Sequence, residues 1–158
     1  MADLKPTGRN LALKTGTPKT FKGGNRENQC SVVYSVVNYT ILNDAIDNKQ
    51  YFVVSFDYEL KHDSTAKLNL GQSDAPWLRP ITLSKKAGKH HIEYAWKSTS
   101  YAFTTAGFGF RFDYLETDNE VTFSNFKVEL GTEATPWTPA PEDSSCRGWY
   151  RVIWNIAL

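Results

Sequence analysis

Alternation of apolar and polar residues with a period of two constrains this chain more than any other feature. Residues 51–60 place every second side chain, all of them apolar or aromatic, on one face: Phe52, Val54, Phe56, Tyr58 and Leu60. Successive side chains of a β-strand point to opposite faces, so this run predicts a strand buried on one side. The alternation recurs at 66–70, 90–96, 108–112 and 121–130. Repeated strands without long helical periods predict a sandwich or barrel of antiparallel strands.

The last of these strands changes phase along its length. Val121 and Phe123 share one phase, whereas Phe126 and Val128 take the other. A β-bulge inserts one extra residue and so reverses the facing of everything after it. We therefore predict a bulge near Asn125 that keeps the whole strand on one core face.

Three stretches give weaker signals. Residues 31–41 are rich in β-branched and aromatic side chains, which predicts one or two strands. Residues 10–14 are expected to form a short opening strand. Only residues 41–49 carry a faint helical period, and the pair Asn43-Asp44 within it is typical of a turn.

Length and charge exclude several classes of partner. The 158 residues suit one domain, and 18 Lys and Arg against 17 Asp and Glu give a net charge of +1. Nucleic-acid binders usually carry a basic excess, so no nucleic-acid partner is predicted. No apolar stretch approaches the ~20 residues that cross a bilayer, so no membrane partner is predicted either. The first residues lack the apolar core of a signal peptide.

The two cysteines, Cys30 and Cys146, are too few for a disulfide framework. Two reduced thiols are the favoured interpretation. A bridge between them stays open, because the first and last strands of jelly rolls are often neighbours.

No catalytic motif is present, and the chain is predicted not to be an enzyme. Neither a zinc-binding His-Glu-x-x-His nor a Gly-x-Ser-x-Gly elbow occurs. His90 and His91 are adjacent, so on a strand they point to opposite faces and cannot chelate one metal together. A glycosidase needs two carboxylates across a cleft. With 17 acidic residues in the chain, finding such a pair discriminates little.

Three segments resemble a jelly-roll domain found in tail proteins of bacteriophages and prophages of Gram-positive hosts. They are 8–18 (Gly-Arg-Asn-Leu-Ala-Leu-Lys-Thr-Gly-Thr-Pro), 51–57 (Tyr-Phe-Val-Val-Ser-Phe-Asp) and 126–143. The third is the most specific: its ending Ala-Thr-Pro-Trp-Thr-Pro-Ala-Pro-Glu-Asp resembles the exit segment of that domain. The resemblance implies a galactose-binding-like β-sandwich over residues 1–143. Residues 144–158 have no counterpart and form a tail of unknown role.

Such domains resemble carbohydrate-binding modules and occur on distal tail, baseplate or fibre proteins. The resemblance therefore implies a non-catalytic domain of the virion tail, made in the bacterial cytoplasm, that adheres to host cell-wall polysaccharide and contacts other tail proteins. One alternative is a structural or assembly domain of the tail with no sugar site. A weaker alternative is a glycan-cleaving enzyme.

Saccharide binding requires flat aromatic faces and planar polar groups. Trp77, between two prolines, is the best platform candidate, with Arg79 beside it and Tyr101 on another loop. Each has a structural alternative: Trp77 as a cap on the core, Arg79 as a solvated arginine and Tyr101 as a partly buried edge residue. Trp96 is predicted to be core and Trp137 to hold the exit segment.

Asp57, Asn69 and Arg111 lie on the polar faces of their strands and are predicted to line a groove on one sheet. Asp57 and Arg111 would form an ion pair there. The alternative is a plain solvated sheet face, in which such a pair contributes ~0–1 kcal/mol. No cofactor is predicted; a structural calcium, with Glu129 among its ligands, is the one option left open.

Overall fold

Strands make up most of the regular secondary structure in the described part of the chain. The computed structural model describes residues 8–27, 29–35, 39–72, 81–97 and 107–143. In chain order the strands are β1 (Lys19–Lys22), β2 (Gln29–Ser35), β3 (Tyr51–Leu60), β4 (Lys67–Gln72), β5 (Ile81–Thr82), β6 (Gly88–Lys97), β7 (Gly107–Asp113) and β8 (Glu120–Leu130). Helix α1 (Tyr39–Asp47) lies between β2 and β3, and a 3-10 turn (Pro141–Asp143) follows β8.

The strands form two four-stranded sheets. The first sheet has the order β1-β8-β3-β6 and the second the order β2-β7-β4-β5. All neighbouring pairs are antiparallel. The predicted antiparallel β-sandwich is confirmed.

Aromatic residues from both sheets fill the space between them. Phe108, Phe110 and Phe112 on β7 are fully buried, as their alternation predicted. The ring of Phe110 stacks on that of Phe123, with centroids 3.8 Å apart, and meets Phe56 edge-on at 5.2 Å. Because β7 belongs to the second sheet and the other two rings to the first, these contacts join the sheets into one core.

The inward-facing row of β6 is less buried than predicted. Tyr94 has the same phase as Ile92 and Trp96 and pairs with the buried Val54, yet it is 41% exposed. β6 is the edge strand of the first sheet, so a side chain there is covered by a neighbouring strand on one side only. Ile92 packs partly buried against the core. The side chain of Trp96 lies outside the described part of the structure.

The predicted bulge in β8 is confirmed. Between the pairs Ser55–Lys127 and Asp57–Ser124, β3 has one residue and β8 has two, so the register shifts there. Asn125 occupies the bulge with a left-handed φ of 53°. Phe123 and Phe126, on either side of it, are both fully buried, so the bulge reconciles their opposite phases.

The strand predicted over residues 31–41 is confirmed for 31–35 and wrong at its end, and the faint helical period at 41–49 corresponds to α1. β2 stops at Ser35, and α1 takes up Tyr39 to Ile41, which we expected to be strand. Leu42 and Ala45 are buried one turn apart on the helix, and burial of this face outweighs the β-preference of the branched residues before it. The predicted turn at Asn43-Asp44 therefore lies inside the helix.

The predicted opening strand at 10–14 is also wrong. Ala12 makes a single bridge, and the first strand begins at Lys19. Leu11 N donates to Val128 O at 2.7 Å in the first sheet, and Leu13 N donates to Ser35 O at 2.8 Å in the second. The segment crosses the edge of the sandwich and cannot extend along either sheet.

The opening and exit segments are hydrogen-bonded to each other. Asn10, fully buried, donates through Nδ2 to Phe126 O at 3.1 Å and to Thr138 O at 3.0 Å. Trp137 Nε1 donates to Thr15 Oγ1 at 3.2 Å, which confirms the predicted structural role of this tryptophan. The boundary at 143 stays a prediction, because residues 144–158, Cys146 among them, lie outside the described residues.

Candidate functional site

The predicted groove does not exist as one surface. Asp57 lies on β3 in the first sheet, whereas Asn69 on β4 and Arg111 on β7 lie in the second. Polar faces that point away from a shared core point to opposite sides of the molecule when their strands belong to different sheets. The predicted ion pair between Asp57 and Arg111 is therefore wrong as well.

Asn69 and Arg111 do come together, as register partners on β4 and β7. Arg111 Nε donates to both carboxylate oxygens of Asp113, at 3.0 and 3.1 Å, and its guanidinium lies 3.8 Å from Glu27. Thr82 Oγ1 donates to Asn69 Oδ1 at 3.4 Å. The outer face of the second sheet thus carries a small polar array. Trp77, Arg79 and Tyr101 lie outside the described residues.

One end of the outer face of the first sheet is covered by the exit segment. Lys127 and Glu129 on β8 are fully buried beneath it. Lys127 Nζ donates to Thr135 Oγ1 at 2.6 Å and to Pro136 O at 2.9 Å. Thr135 in turn donates to Glu129 through its backbone N at 2.7 Å and its Oγ1 at 2.8 Å. We call these residues the exit clamp.

The other end of this face is open and forms a groove of about 510 Å³. That volume lies within the range of small-molecule sites, about 300–1,000 Å³. β3, β6 and β8 supply polar side chains to it, and Pro18 forms part of its wall. The polar lining comprises Asp57, Glu59, Lys89, His91, Thr122, Ser124 and Asn125. We call it the β3 groove.

A hydrogen-bonded row runs across the floor of the β3 groove and continues beyond its lining to Glu93. His91 Nδ1 lies 2.6 Å from Asp57 Oδ1, and its Nε2 lies 3.1 Å from Glu93 Oε1. Asn125 Nδ2 donates to the other oxygen of Asp57 at 2.6 Å. Each side chain of the row is thereby held by its neighbour, although His91 is 57% exposed.

The row shifts the pKa values of two of its members, His91 and Asp57. Hydrogen bonds that His91 donates to Asp57, and then to Glu93, raise the pKa of His91, because both carboxylates favour the imidazolium form. Burial alone would raise the pKa of Asp57, but the hydrogen bonds from Asn125 and His91 outweigh it and the pKa is lowered. Asp57 is therefore an ionised acceptor at neutral pH.

Sequence reasoning found Asp57 but missed His91 and Asn125 as site residues. The bulge at Asn125 was predicted, but its consequence was not. Its left-handed backbone turns the Asn125 side chain toward β3, and the sequence does not identify β3 as the neighbour of β8. The pairing of Asp57 with His91 depends on the register between β3 and β6. Alternation fixes the face of a residue but not its cross-strand partner.

No metal site emerges from the described ranges, in which no group of three His, Cys, Asp or Glu side chains could hold an ion. Glu129 does not suit a calcium ligand, because Thr135 and the nearby Lys127 already satisfy its carboxylate. His90 stacks on Tyr58 on the core side while His91 faces outward, as their adjacency predicted. Among the described helices, none is long and apolar enough to span a membrane.

Comparison with known proteins gives matches to structures alone. No protein-family model and no curated protein matches the chain. The tripod (BppUct-A-L) from the baseplate of bacteriophage Tuc2009 aligns with a TM-score of 0.53 and 15% identity, over 85% of this chain and 59% of that one. A CBM4 structure aligns with a TM-score of 0.48 and 12% identity, over 80% of this chain and 93% of that one.

The likeness to the baseplate protein is one of fold. At 15% identity it confirms the expected jelly-roll-like sandwich and the likeness to a domain of phage tail proteins. This chain spans 59% of the length of the baseplate chain.

Proposed function

We propose that the chain is a non-catalytic saccharide-binding domain of a bacteriophage tail, and that it adheres to the host cell wall through the β3 groove. The observation that carries this proposal is the groove itself, with planar polar side chains already held in place across its floor. Sugars are recognised by directional hydrogen bonds from carboxylate, amide and hydroxyl groups. A preordered site loses less conformational entropy on binding than a mobile one.

The tail context rests on two independent likenesses. The exit segment resembles that of tail-protein jelly rolls, and the sandwich shares its fold with a bacteriophage baseplate protein. A tail tip displays many copies of such a domain. Linked copies raise overall binding by ~10²–10⁴ without new contacts, so weak binding by each copy suffices for adsorption.

The ionisation of Asp57 supports binding over cleavage. A glycosidase requires one carboxyl group with a raised pKa to act as general acid. The pKa of Asp57 is instead lowered, because hydrogen bonds to its carboxylate outweigh the burial that would raise it. Its two oxygens are engaged by His91 and Asn125.

The second sheet offers a rival location for the same function. Asn69 and Arg111 lie side by side there, and Trp77, Arg79 and Tyr101 remain predicted saccharide contacts outside the described residues. A sugar held by Arg111 would have to compete with Asp113, whose carboxylate already accepts two hydrogen bonds from the Arg111 guanidinium. The β3 groove is therefore our first choice.

Retention on purified host cell walls tests the proposal. Asn125→Gly removes the side-chain amide, and because glycine tolerates the left-handed backbone the variant should fold normally. Its retention should fall about tenfold, because one good polar contact with the sugar is lost. Asn69→Ala on the second sheet is the matched control and should bind as the parent does. Trp77→Ala tests the predicted platform. If the unaltered chain is not retained on any host wall, the saccharide proposal fails.

Assembly within the tail is the second candidate, and one observation favours it. Tyr94 is 41% exposed on the edge strand β6, beside a shallow groove of about 450 Å³ that Ala95 and Ala134 also line. An exposed aromatic at a sheet edge suits a protein contact. Concentration-dependent association that Tyr94→Lys abolishes, without loss of wall binding, would support assembly as an added role.

A further inference from the structure

The β3 groove continues into a second depression along the same strand. The second depression, about 360 Å³ in volume, is lined by Lys61 and Glu120 and shares Glu59 and Thr122 with the β3 groove. From Asp57 to Lys61 the strand rises about 14 Å, at about 3.4 Å per residue. A ligand following this trough runs along β3 and is longer than one sugar ring.

The trough carries no excess of positive charge. Its outward-facing ionisable side chains comprise three acids, two lysines and one histidine: Asp57, Glu59, Glu120, Lys61, Lys89 and His91. His90 also lines it but stacks on Tyr58 on the core side, and Glu93, which contacts His91 Nε2, lies beside it. A polyanion is attracted by an excess of positive charge, so this surface does not favour one.

Hydroxyl and amide groups lie between these charges. Thr122, Ser124 and Asn125 follow one another on the β8 side of the trough. Asn125 Nδ2 uses one of its two hydrogens for Asp57, so the described contacts leave a donor and the amide oxygen for a ligand. Such groups exchange hydrogen bonds with the hydroxyls of an uncharged sugar.

We infer that the trough along β3 binds a linear, electrically neutral oligosaccharide, and not the anionic phosphate polymers that also occur in cell walls. This inference rests on the proposed function and specifies the class of its ligand. It predicts binding that depends on chain length and depends little on salt.

Two polymers separate the alternatives: a phosphate-free polysaccharide released from host walls, and poly(glycerol phosphate). We expect the full chain to bind the first, with affinity changing less than about twofold between about 0.05 and 0.5 M salt, because no net charge is screened. Monosaccharides from the same polymer should bind at least about tenfold more weakly than its oligosaccharides, because a single ring fills part of the trough.

A charge variant provides the second readout. Lys61→Gln/Lys89→Gln removes two exposed positive charges from the trough. Any ligand would lose the hydrogen bonds of these ammonium groups, so the loss of affinity is measured at two salt concentrations. For a neutral ligand the loss should be the same at about 0.05 and 0.5 M salt, whereas for an anionic one it should be about tenfold or more at low salt and shrink as the salt rises. If the chain binds poly(glycerol phosphate), and if this binding weakens steeply with salt and in the double variant, the inference is overturned. Adhesion to the host cell wall would still stand. Absence of binding to either polymer would overturn both.

Discussion

Gly23 lies where two turns meet, and its missing side chain is a steric requirement. A Cβ at this position would lie 1.8 Å from the carbonyl oxygen of Glu116, a backbone atom that cannot move aside. Gly23 N also donates to Asn119 O at 2.9 Å, so the two segments are held together.

We predict that Gly23→Ala lowers the free energy of unfolding by about 2–3 kcal/mol, because the turns must separate to admit a methyl group. Urea denaturation measures this. Gly16→Ala is the control: its Cβ would meet the Trp137 ring at 4.0 Å, an ordinary contact, and its cost should stay below about 1 kcal/mol. Equal costs for the two variants would contradict the steric explanation.

The carboxylate of Glu116 joins the turn after β3 to the turn before β8. It accepts hydrogen bonds from Ser64 Oγ at 2.6 Å, Thr65 N at 2.9 Å and Asn119 Nδ2 at 3.3 Å. Burial alone would raise the pKa of Glu116, but these hydrogen bonds outweigh it and lower the pKa to about 2. The ionised form is therefore the one that the fold prefers.

This lowered pKa predicts a pH-dependent stability difference between the parent chain and Glu116→Gln. A lowered folded-state pKa contributes stability above the unfolded pKa, and that stability disappears as the pH falls through the folded value. The parent should thus have the larger free energy of unfolding at pH 7. Its difference from the variant should disappear as the pH falls from about 4.5 to about 2. Urea denaturation across this interval checks it; a gap that stays constant with pH would exclude the carboxylate as its source.

The exit clamp connects two segments that carry the sequence resemblance but lie far apart in the chain, residues 8–18 and 126–143. β8 presents Lys127 and Glu129 on its outer face, where charged residues normally meet solvent. The exit segment folds back over them, and Thr135 bonds to both. The opening segment joins the same assembly through Asn10. The proline-rich exit is thereby fixed to the sandwich.

We predict that Lys127→Met lowers the free energy of unfolding by about 3–5 kcal/mol, because it leaves the buried Glu129 carboxylate without its cation. Lys86→Met breaks an ion pair of equal formal charge with Asp63, but both partners are exposed, at 78% and 60%, so solvent screens the pair and the free energy of unfolding should stay nearly unchanged. Urea denaturation compares the two, and a small loss for Lys127→Met would show that the clamp contributes no stability.

For the whole molecule, the predictable and unpredictable features have different physical origins. Strands such as β3 and β7 are predictable because each carries its own alternation, visible in Phe108, Phe110 and Phe112. Helix α1 showed only a faint helical period at residues 41–49, because it depends on burial of Leu42 and Ala45, a tertiary effect that outweighs local preference. The candidate site was misplaced because alternation does not say which strands are neighbours.

The pairing of strands decides where a site can form. Asp57, Asn69 and Arg111 share polar phase, yet the division into two sheets places Asp57 on one side of the sandwich and the other two on the opposite side. Only the register of β3 with β6 and β8 brings His91 and Asn125 to Asp57. Such long-range pairings leave no signal in a single sequence.

Saccharide binding along β3 can be located residue by residue through changes in amide chemical shifts measured by NMR. The 15N-labelled full chain would be titrated with solubilised host cell-wall polysaccharide. We predict that the largest shifts fall at residues 57–60 of β3 and the following Lys61, at 89–91 of β6 and at 122–125 of β8, while Asn69 and Arg111 stay unchanged. Shifts confined to the second sheet, or none at saturating polysaccharide, would contradict binding along β3.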